Sequence, residues 1–295
     1  MTKRRVEFDV LGDRVVGDLY LPDRPGPHPA VIVGGPMTSV KEQVTGVYAK
    51  ALSERGIAAL CLDHRHYGES GGEPRQYEYY PHKIDDLKAG LIALSEDPDI
   101  NAERIGAAGV CLGVGYSVWA AVDNPLVKSI GGVVGYYRDV PVMKAKDPDG
   151  FQEKVDQGRL AREHFEQTGE VLSIPAAALD GDAAMTLQST YDYYATPRAG
   201  VPNYTNAFAV MSREHFLQFD VQSAAPKVSV PMTMVHSENA LSPQWARKFH
   251  ETLSVDKAIH WVDGPNQTAF YDDPDLVRQS SDYLADHFQE TLRGQ

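Results

Sequence analysis

The sequence predicts an α/β protein in which a doubly wound, mostly parallel sheet carries an inserted helical cap. From residue 30 onward, short apolar runs alternate with amphipathic stretches, as in a parallel sheet covered by helices on both faces. With 295 residues, of which 42% are hydrophobic, the chain can bury a sizeable core. The apolar runs predict strands at 30–34, 58–62, 105–109, 129–134, 232–236 and 258–262. The amphipathic stretches predict helices at about 44–55, 82–97, 112–123, 243–254 and 275–291.

A β-hairpin is predicted before this alternating pattern. Residues 6–10 and 15–21 read as strands on either side of a turn at Gly12. Gly56 and Pro98 follow two of the predicted helices, where glycine and proline are typical helix stops. We therefore expect antiparallel pairing at the start of the chain and parallel pairing after it.

Residues 140–226 interrupt the alternation, because they separate two predicted strands by far more chain than one crossover needs. The segment combines helix-like pieces with an aromatic, loop-like run at 196–204. Ligands of open α/β sheets bind at the carboxyl ends of the strands, so we expect this segment to form a cap over that edge. Residues 1–139 and 227–295 form the predicted core. The alternative is a structural insertion far from the site.

Charge and cysteine content exclude several classes of function. The net charge of −13 argues against binding to nucleic acid or to an anionic membrane surface, since both require a basic footprint. No secretory signal and no run of 18 apolar residues is visible. The two cysteines, Cys61 and Cys111, do not suggest a disulfide framework. We therefore expect a cytoplasmic protein.

The stretch Gly109-x-Cys111-x-Gly113 is the most informative in the chain. It lies between a predicted strand and a predicted helix, the context of a G-x-S-x-G nucleophile elbow, with cysteine in place of serine. In such an elbow the central residue adopts a strained backbone, and the flanking glycines avoid Cβ clashes. The helix dipole is expected to favour the thiolate of Cys111. The alternative is a buried cysteine on a glycine-rich turn.

Three motifs together resemble the α/β-hydrolase fold and, more narrowly, its dienelactone-hydrolase-like branch, which often carries cysteine at the elbow. They are the elbow itself, residues 34–43 (GGPMTSVKEQ) and residues 63–72 (DHRHYGESGG). The resemblance implies an oxyanion hole made of two backbone N–H groups, those of Met37 and Leu112. It also implies an enzyme that acts on a small-molecule carbonyl substrate.

The chain departs from this family at the other two members of the triad. Gln267 stands where the family carries its histidine, and a glutamine side chain cannot accept a proton near neutral pH. Glu238 is the only carboxylate just after strand 232–236, while Ala240 occupies the place of the family's acid. If the rest of the site is intact, Gln267→His is expected to raise ester hydrolysis.

Four further residues are candidates for the substrate pocket. His66 follows the strand at 58–62, and His236 ends its own strand, so either imidazole is placed near the carboxyl edge of the sheet. Tyr136 and Tyr137 follow the strand at 129–134 and are expected to face the cap, shaping an aromatic pocket. A capping or pairing role is the alternative for each histidine.

Two enzymatic functions remain open on this evidence, beside a catalytically silent binding protein. In the first, Cys111 attacks an ester, thioester or lactone in hydrolysis or acyl transfer, with Gln267 and Glu238 as its neighbours. In the second, a cyclase, isomerase or lyase reuses the pocket on a small apolar organic substrate. No zinc spacing, P-loop or dinucleotide fingerprint is present, so neither metal nor cofactor is expected. A homodimer is left open.

Overall fold

The computed structural model describes residues 1–293, and its centre is an eight-stranded sheet. The strands run in the order β1-β2-β4-β3-β5-β6-β9-β10. The pairs β1–β2 and β2–β4 are antiparallel, and all other pairs in this sheet are parallel. The strands are β1 Thr2–Val10, β2 Asp13–Leu21, β3 His28–Gly34, β4 Ala58–Asp63, β5 Ile100–Val110, β6 Val127–Val133, β7 Ser173–Ile174, β8 Phe208–Ala209, β9 Met232–His236 and β10 Lys257–Trp261. The predicted hairpin and parallel sheet are confirmed.

Helices cover the sheet and follow the predicted positions closely. They are α1 Val44–Glu54, α2 Tyr80–Ser95, α3 Leu112–Ala121, α4 Val140–Lys146, α5 Pro148–Thr168, α6 Gln188–Tyr194, α7 Ser212–Phe216, α8 Pro243–Thr252, α9 Ala269–Asp272 and α10 Pro274–Thr291. The long helix α10 begins at an Asp273 carboxylate that accepts hydrogen bonds from the N–H groups of Asp275 and Leu276. None of the helices in the described residues is both long enough and apolar enough to span a membrane.

The two central strands β3 and β5 bring the motif at residues 34–43 close to the elbow at Cys111. Every residue of β3 is buried, and it pairs in parallel with β5, with Gly34 opposite Gly109. Parallel strands end at the same edge of a sheet. The loop after Gly34 and the turn after Val110 therefore lie side by side.

Residues 140–226 contribute no strand to the eight-stranded sheet in the part of the chain that the structure describes. The two short strands β7 and β8 pair only with each other, and helices α4 to α7 make up much of the remainder. Thr190, Tyr194 and Phe216 of this segment line a cavity that also contains Cys111. The segment reaches the carboxyl edge of the sheet, as a cap requires.

Candidate active site

Cys111 lies at a sharp strand-to-helix turn between β5 and α3. Its backbone has φ 56° and ψ −126°, a left-handed conformation that is strained for a residue with a side chain. A Cβ on Gly109 would lie 2.4 Å from the carbonyl oxygen of Gly113, and a Cβ on Gly113 would lie 2.2 Å from that of Gly34. Only glycine fits at either position, so the Gly-x-Cys-x-Gly pattern has a packing reason.

Two backbone N–H groups are available beside Cys111. Leu112 is the first residue of α3, and its N–H therefore has no acceptor within the helix. The N–H of Met37, in the loop after β3, makes no hydrogen bond to any group in residues 1–293. Both residues line the same cavity as Cys111. They are the two donor groups that an oxyanion hole at this turn would use.

A buried carboxylate holds the loop that carries Met37. Glu78 is fully buried, and its Oε2 accepts a hydrogen bond of 2.8 Å from the N–H of Thr38. Thr38 has a positive φ of 60°, so this bond fixes a backbone conformation that a threonine rarely adopts. Glu78 thereby orients the residue next to Met37.

The charge of Glu78 is balanced within the protein. The Lys83 ammonium lies 2.7 Å from Oε1, and the hydroxyls of Tyr116 and Tyr67 donate to the carboxylate at 2.7 and 2.8 Å. Together with the Thr38 N–H, these donors outweigh the effect of burial and lower the pKa of Glu78. The group is therefore an ionised, fully partnered anchor behind the site.

Gln267 lies beside the Cys111 sulfur and is held firmly in place. Its Oε1 accepts from the N–H of Leu241 at 3.0 Å, and its Nε2 donates to the carbonyl oxygen of Val134 at 2.8 Å. Nε2 also lies 3.5 Å from the hydroxyl of Tyr271. With only 2% of its surface exposed, Gln267 is a rigid part of the site.

Burial raises the pKa of the Cys111 thiol, although Tyr271, the Leu112 N–H and Gln267 act in the opposite direction by hydrogen bonding. Burial also raises the pKa of Tyr271 well above its ordinary value, so its hydroxyl stays protonated. The sequence-based expectation that the helix dipole makes the thiolate favourable is therefore corrected. Desolvation in this cavity outweighs the hydrogen bonds that stabilise the anion.

The cavity next to Cys111 has a volume of about 280 Å³. Its walls are mainly apolar, and no histidine, aspartate or glutamate lines it in the part of the chain that the structure describes. The residues that line it are Pro36, Met37, Cys111, Leu112, Tyr136, Arg138, Met143, Ala184, Met185, Thr186, Leu187, Thr190, Tyr194, Phe216, Leu217, Leu241, Gln267 and Tyr271. Five predicted site residues are thus brought together: Cys111, Met37, Leu112, Gln267 and Tyr136.

Glu238 and Tyr137 do not line this cavity, in contrast to the prediction from sequence. Glu238 is exposed and pairs with Arg247, because the loop after β9 turns its carboxylate towards solvent. Tyr137 packs its ring against Phe249 of α8, since the chain after β6 turns the two neighbouring tyrosines in different directions.

The two candidate histidines also lie outside the cavity. His66 stacks on His82, with 2.8 Å between His66 Nε2 and His82 Nδ1. Both ring nitrogens of His236 lie 3.1 Å from backbone carbonyl oxygens, those of Gly135 and Ser237. Burial lowers the pKa of both His66 and His236. These contacts correspond to the pairing and capping alternatives.

One group of acidic side chains has the spacing of a metal site but is already neutralised. The carboxylates of Glu42, Asp63 and Glu69 converge on one point. The Lys41 ammonium occupies that point, at 2.7, 2.9 and 2.5 Å from them. The cluster is an internal ion-pair network that braces the loops after β3 and β4.

Three residues of the site were not predicted from sequence: Tyr271, Arg138 and Glu78. Tyr271 lies four residues after Gln267, and helix α9, which begins at Ala269, turns the chain so that the Tyr271 hydroxyl lies near the Gln267 amide. That spacing was the one signal in the sequence. Arg138 and Glu78 lie on loops that contact residues 212–217, because Arg138 donates to the carbonyl oxygens of Phe216 and Leu217 and the N–H of Glu78 donates to Ser212. No local pattern in the sequence signals these contacts.

Alkylation by iodoacetamide tests the surroundings of the thiol. We expect the rate at Cys111 to keep rising above pH about 8.5, where an ordinary thiol levels off, because burial raises its pKa. Mass spectrometry of peptides after timed exposure measures this rate. Cys61 is an internal control, because it is fully buried in β4 and should remain unmodified while the protein is folded. Fast alkylation of Cys111 at pH 6 would contradict the expectation.

The sheet order, the elbow and the adjacent N–H groups define a protein of the α/β-hydrolase fold. Residues 1–136 match the family described as "Esterase FrsA-like". The chain is 30% identical over 286 residues to the protein YcjY of Escherichia coli, with 93% of each chain covered. The chain therefore belongs to the same α/β-hydrolase family as YcjY, and it is an enzyme of the hydrolase type that acts on carbonyl compounds.

Two further relatives give the range of this similarity. The protein PA2218 of Pseudomonas aeruginosa is 30% identical over 307 residues, covering 98% of this chain and 81% of the relative. Its crystal structure superposes with a TM-score of 0.84 at 27% identity, covering 98% of this chain and 94% of that one. Thiohydrolase aneE of Aspergillus aculeatus is 37% identical over 131 residues, which is 44% of this chain and 40% of the relative.

Proposed function

We propose that this enzyme cleaves acyl thioesters through Cys111, with the N–H groups of Met37 and Leu112 as its oxyanion hole. The observation that carries the proposal is the cavity itself. A thiol on a strained elbow and two backbone donors line it, and neither an imidazole nor a carboxylate does so within residues 1–293. The similarity of part of the chain to a thiohydrolase supports the same substrate class.

The nucleophile in this proposal is the thiolate of Cys111, present as a minor fraction at neutral pH. Its sulfur attacks the acyl carbon, and the carbonyl oxygen takes up negative charge between the two N–H groups. The Tyr271 hydroxyl and the Gln267 amide favour the anionic form of the sulfur before attack. As the tetrahedral intermediate collapses, the carbon–sulfur bond to the leaving group breaks, and that group departs as a thiolate.

Thioesters suit this site because their leaving group requires no proton donor. A thiolate is a stable anion near neutral pH, since thiols have a pKa of about 8.5. An oxygen ester must release a far more basic alkoxide, and the described residues that line the cavity include no histidine or carboxylic acid to protonate it. General acid catalysis typically contributes about 10²–10⁴-fold, so its absence discriminates between the two substrates.

Deacylation, in which the acyl group leaves Cys111, favours acyl transfer as a second candidate function. Water requires a general base to attack the acyl-enzyme efficiently, and the described cavity lining provides neither imidazole nor carboxylate for that role. A thiol acceptor attacks as its own thiolate and needs less assistance. Lactonisation or another non-hydrolytic reaction of the bound acyl group belongs to this same alternative.

A matched pair of substrates tests the proposal. For one short acyl group, we expect kcat/KM to be at least about 10²-fold higher for the ethyl thioester than for the ethyl ester. We also expect a burst of released thiol followed by a slow phase, because deacylation by water lacks a base. Stopped-flow absorbance measures both phases.

Addition of N-acetylcysteamine to the same reaction separates hydrolysis from transfer. A faster slow phase with a new thioester product supports acyl transfer, whereas an unchanged slow phase supports hydrolysis. Equal rates for the thioester and the ethyl ester would contradict the proposal, since they would show that a group such as the Tyr271 hydroxyl protonates the leaving alkoxide efficiently.

A further inference from the structure

Arg138 is a buried cation that lacks an anionic partner. Its side chain lies in the loop after β6, is only 1% exposed and lines the same cavity as Cys111. In residues 1–293 it forms no ion pair with any carboxylate. The nearby Asp220 carboxylate instead accepts from the N–H groups of Val140 and Ser223 at 2.9 and 2.8 Å. Burial of an unpaired charge is costly, and arginine keeps its charge in proteins.

Only part of the hydrogen-bonding capacity of Arg138 is used. The guanidinium group has five N–H donors. Nη1 donates to the carbonyl oxygen of Phe216 at 2.7 Å and Nη2 to that of Leu217 at 2.9 Å, at the end of helix α7. The buried Nε has no acceptor in the described residues. Unsatisfied donors of this kind usually have an acceptor in the functional state of a protein.

Arg138 also determines the electrostatics of the cavity. No other arginine, and no lysine, aspartate or glutamate, lines it in the described part of the chain, where most walls are apolar. A buried positive charge without a paired carboxylate attracts an anion more strongly in a low-dielectric pocket than it would in water. Because its planar fork matches a carboxylate, arginine is well suited to that ligand.

We propose that the substrate carries a carboxylate at the far end of its acyl group and that Arg138 binds this carboxylate. The inference rests on the proposed function for the thioester at the other end of the substrate. The volume of about 280 Å³ is at the small end of ligand pockets and fits a short dicarboxylic acyl chain. In such a complex the buried guanidinium of Arg138 forms an ion pair with the substrate carboxylate.

Two probes of equal chain length test this subsite. One is the mono-phenyl thioester of glutaric acid, which has a free carboxylate, and the other is the methyl ester of the same compound. We expect the wild-type protein to prefer the free carboxylate in kcat/KM by about 10- to 100-fold, the usual range for a charged hydrogen bond. In Arg138→Met the preference should disappear, and Arg138→Lys should restore part of it.

A control variant separates anion binding from the attachment of the cap. Gln222 is neutral, and its Nε2 donates to the carbonyl oxygens of Tyr137 and Trp245, while its N–H donates to that of Arg138. Gln222→Ala therefore loosens the same region without removing the cation. We expect it to affect both probes equally and to keep the preference for the carboxylate.

Binding of simple ligands tests the subsite independently of turnover. Isothermal titration calorimetry should show that wild type binds monomethyl glutarate more tightly than dimethyl glutarate and that Arg138→Met does not. If this holds while no thioester is cleaved, the carboxylate subsite stands and the proposed function fails. Equal binding of the two ligands by wild type, or a preference retained in Arg138→Met, would overturn the inference.

Discussion

Replacing Cys111 by alanine is expected to lower kcat/KM for the phenyl thioester by about 10³-fold or more, the usual order for loss of a nucleophile. Cys111→Ser should be almost as inactive. A hydroxyl requires a general base to attack, whereas a thiol ionises far more readily, and no described histidine or carboxylate lines the cavity. Steady-state kinetics measure the loss, and intact-protein mass spectrometry should detect an acyl adduct on wild type but on neither Cys111 variant.

Cys61→Ala is the matched control for this experiment. The Cys61 sulfur contacts the carbonyl oxygens of Asp18 and Lys41 at 3.6 and 3.7 Å, and it does not line the cavity. We expect the variant to keep its activity and its acyl adduct. Substantial activity in Cys111→Ser would show that a base acts on position 111 and would contradict the mechanism.

Gln267→His alone is expected to leave ethyl ester hydrolysis within about tenfold of wild type, although it restores the imidazole. The introduced imidazole is expected to adopt a tautomer that cannot act as a base towards Cys111. The N–H of Leu241 donates to Gln267 Oε1 at 3.0 Å, so a histidine in its place would accept that bond at Nδ1 and carry its proton on Nε2. The protonated nitrogen would then face the Cys111 sulfur and could not accept its proton.

Adding Ala240→Asp to Gln267→His should reverse this tautomer. A carboxylate next to Leu241 accepts the Nδ1 proton and leaves Nε2 free as a base, so we expect ester hydrolysis to rise by about 10²–10⁴-fold over the single variant. The rate of ester hydrolysis by the double variant should then rise with pH around the pKa of the imidazole. Gln267→His with Ala240→Asn is the control, because an amide lacks the charge that stabilises an imidazolium.

A large gain from Gln267→His alone would contradict this account. It would show that another group already accepts the Nδ1 proton, as the sequence-based expectation for this substitution assumes. Only the tertiary structure brings the backbone N–H of Leu241 to Gln267, and this donor is absent from any pattern in the sequence.

The proposed oxyanion hole shows how far the motifs of a sequence can predict a site. The Gly-x-Cys-x-Gly pattern predicts Cys111, and the resemblance to the α/β-hydrolase fold implies Leu112 and Met37; the structure places all three on one cavity. Their catalytic roles remain proposals. Such positions follow from chain connectivity, because strand ends in a parallel sheet share one edge.

The histidines show where the same reasoning fails. His66 and His236 lie near the predicted edge of the sheet, yet their rings point to His82 and to backbone carbonyl oxygens. Proximity of backbones does not determine the direction of side chains. That direction depends on which partners the neighbouring loops supply.

By itself, the sequence determined the positions of most strands along the chain, the strained turn at Cys111 and the absence of a histidine at position 267, because apolar periodicity and glycine sterics are local properties. Tertiary structure alone decided that Tyr271 and Gln267 flank the sulfur, that Glu78 anchors Thr38, and that Arg138 enters the cavity without an anion. These contacts join segments far apart in the chain, so their burial and charge depend on how those segments pack together.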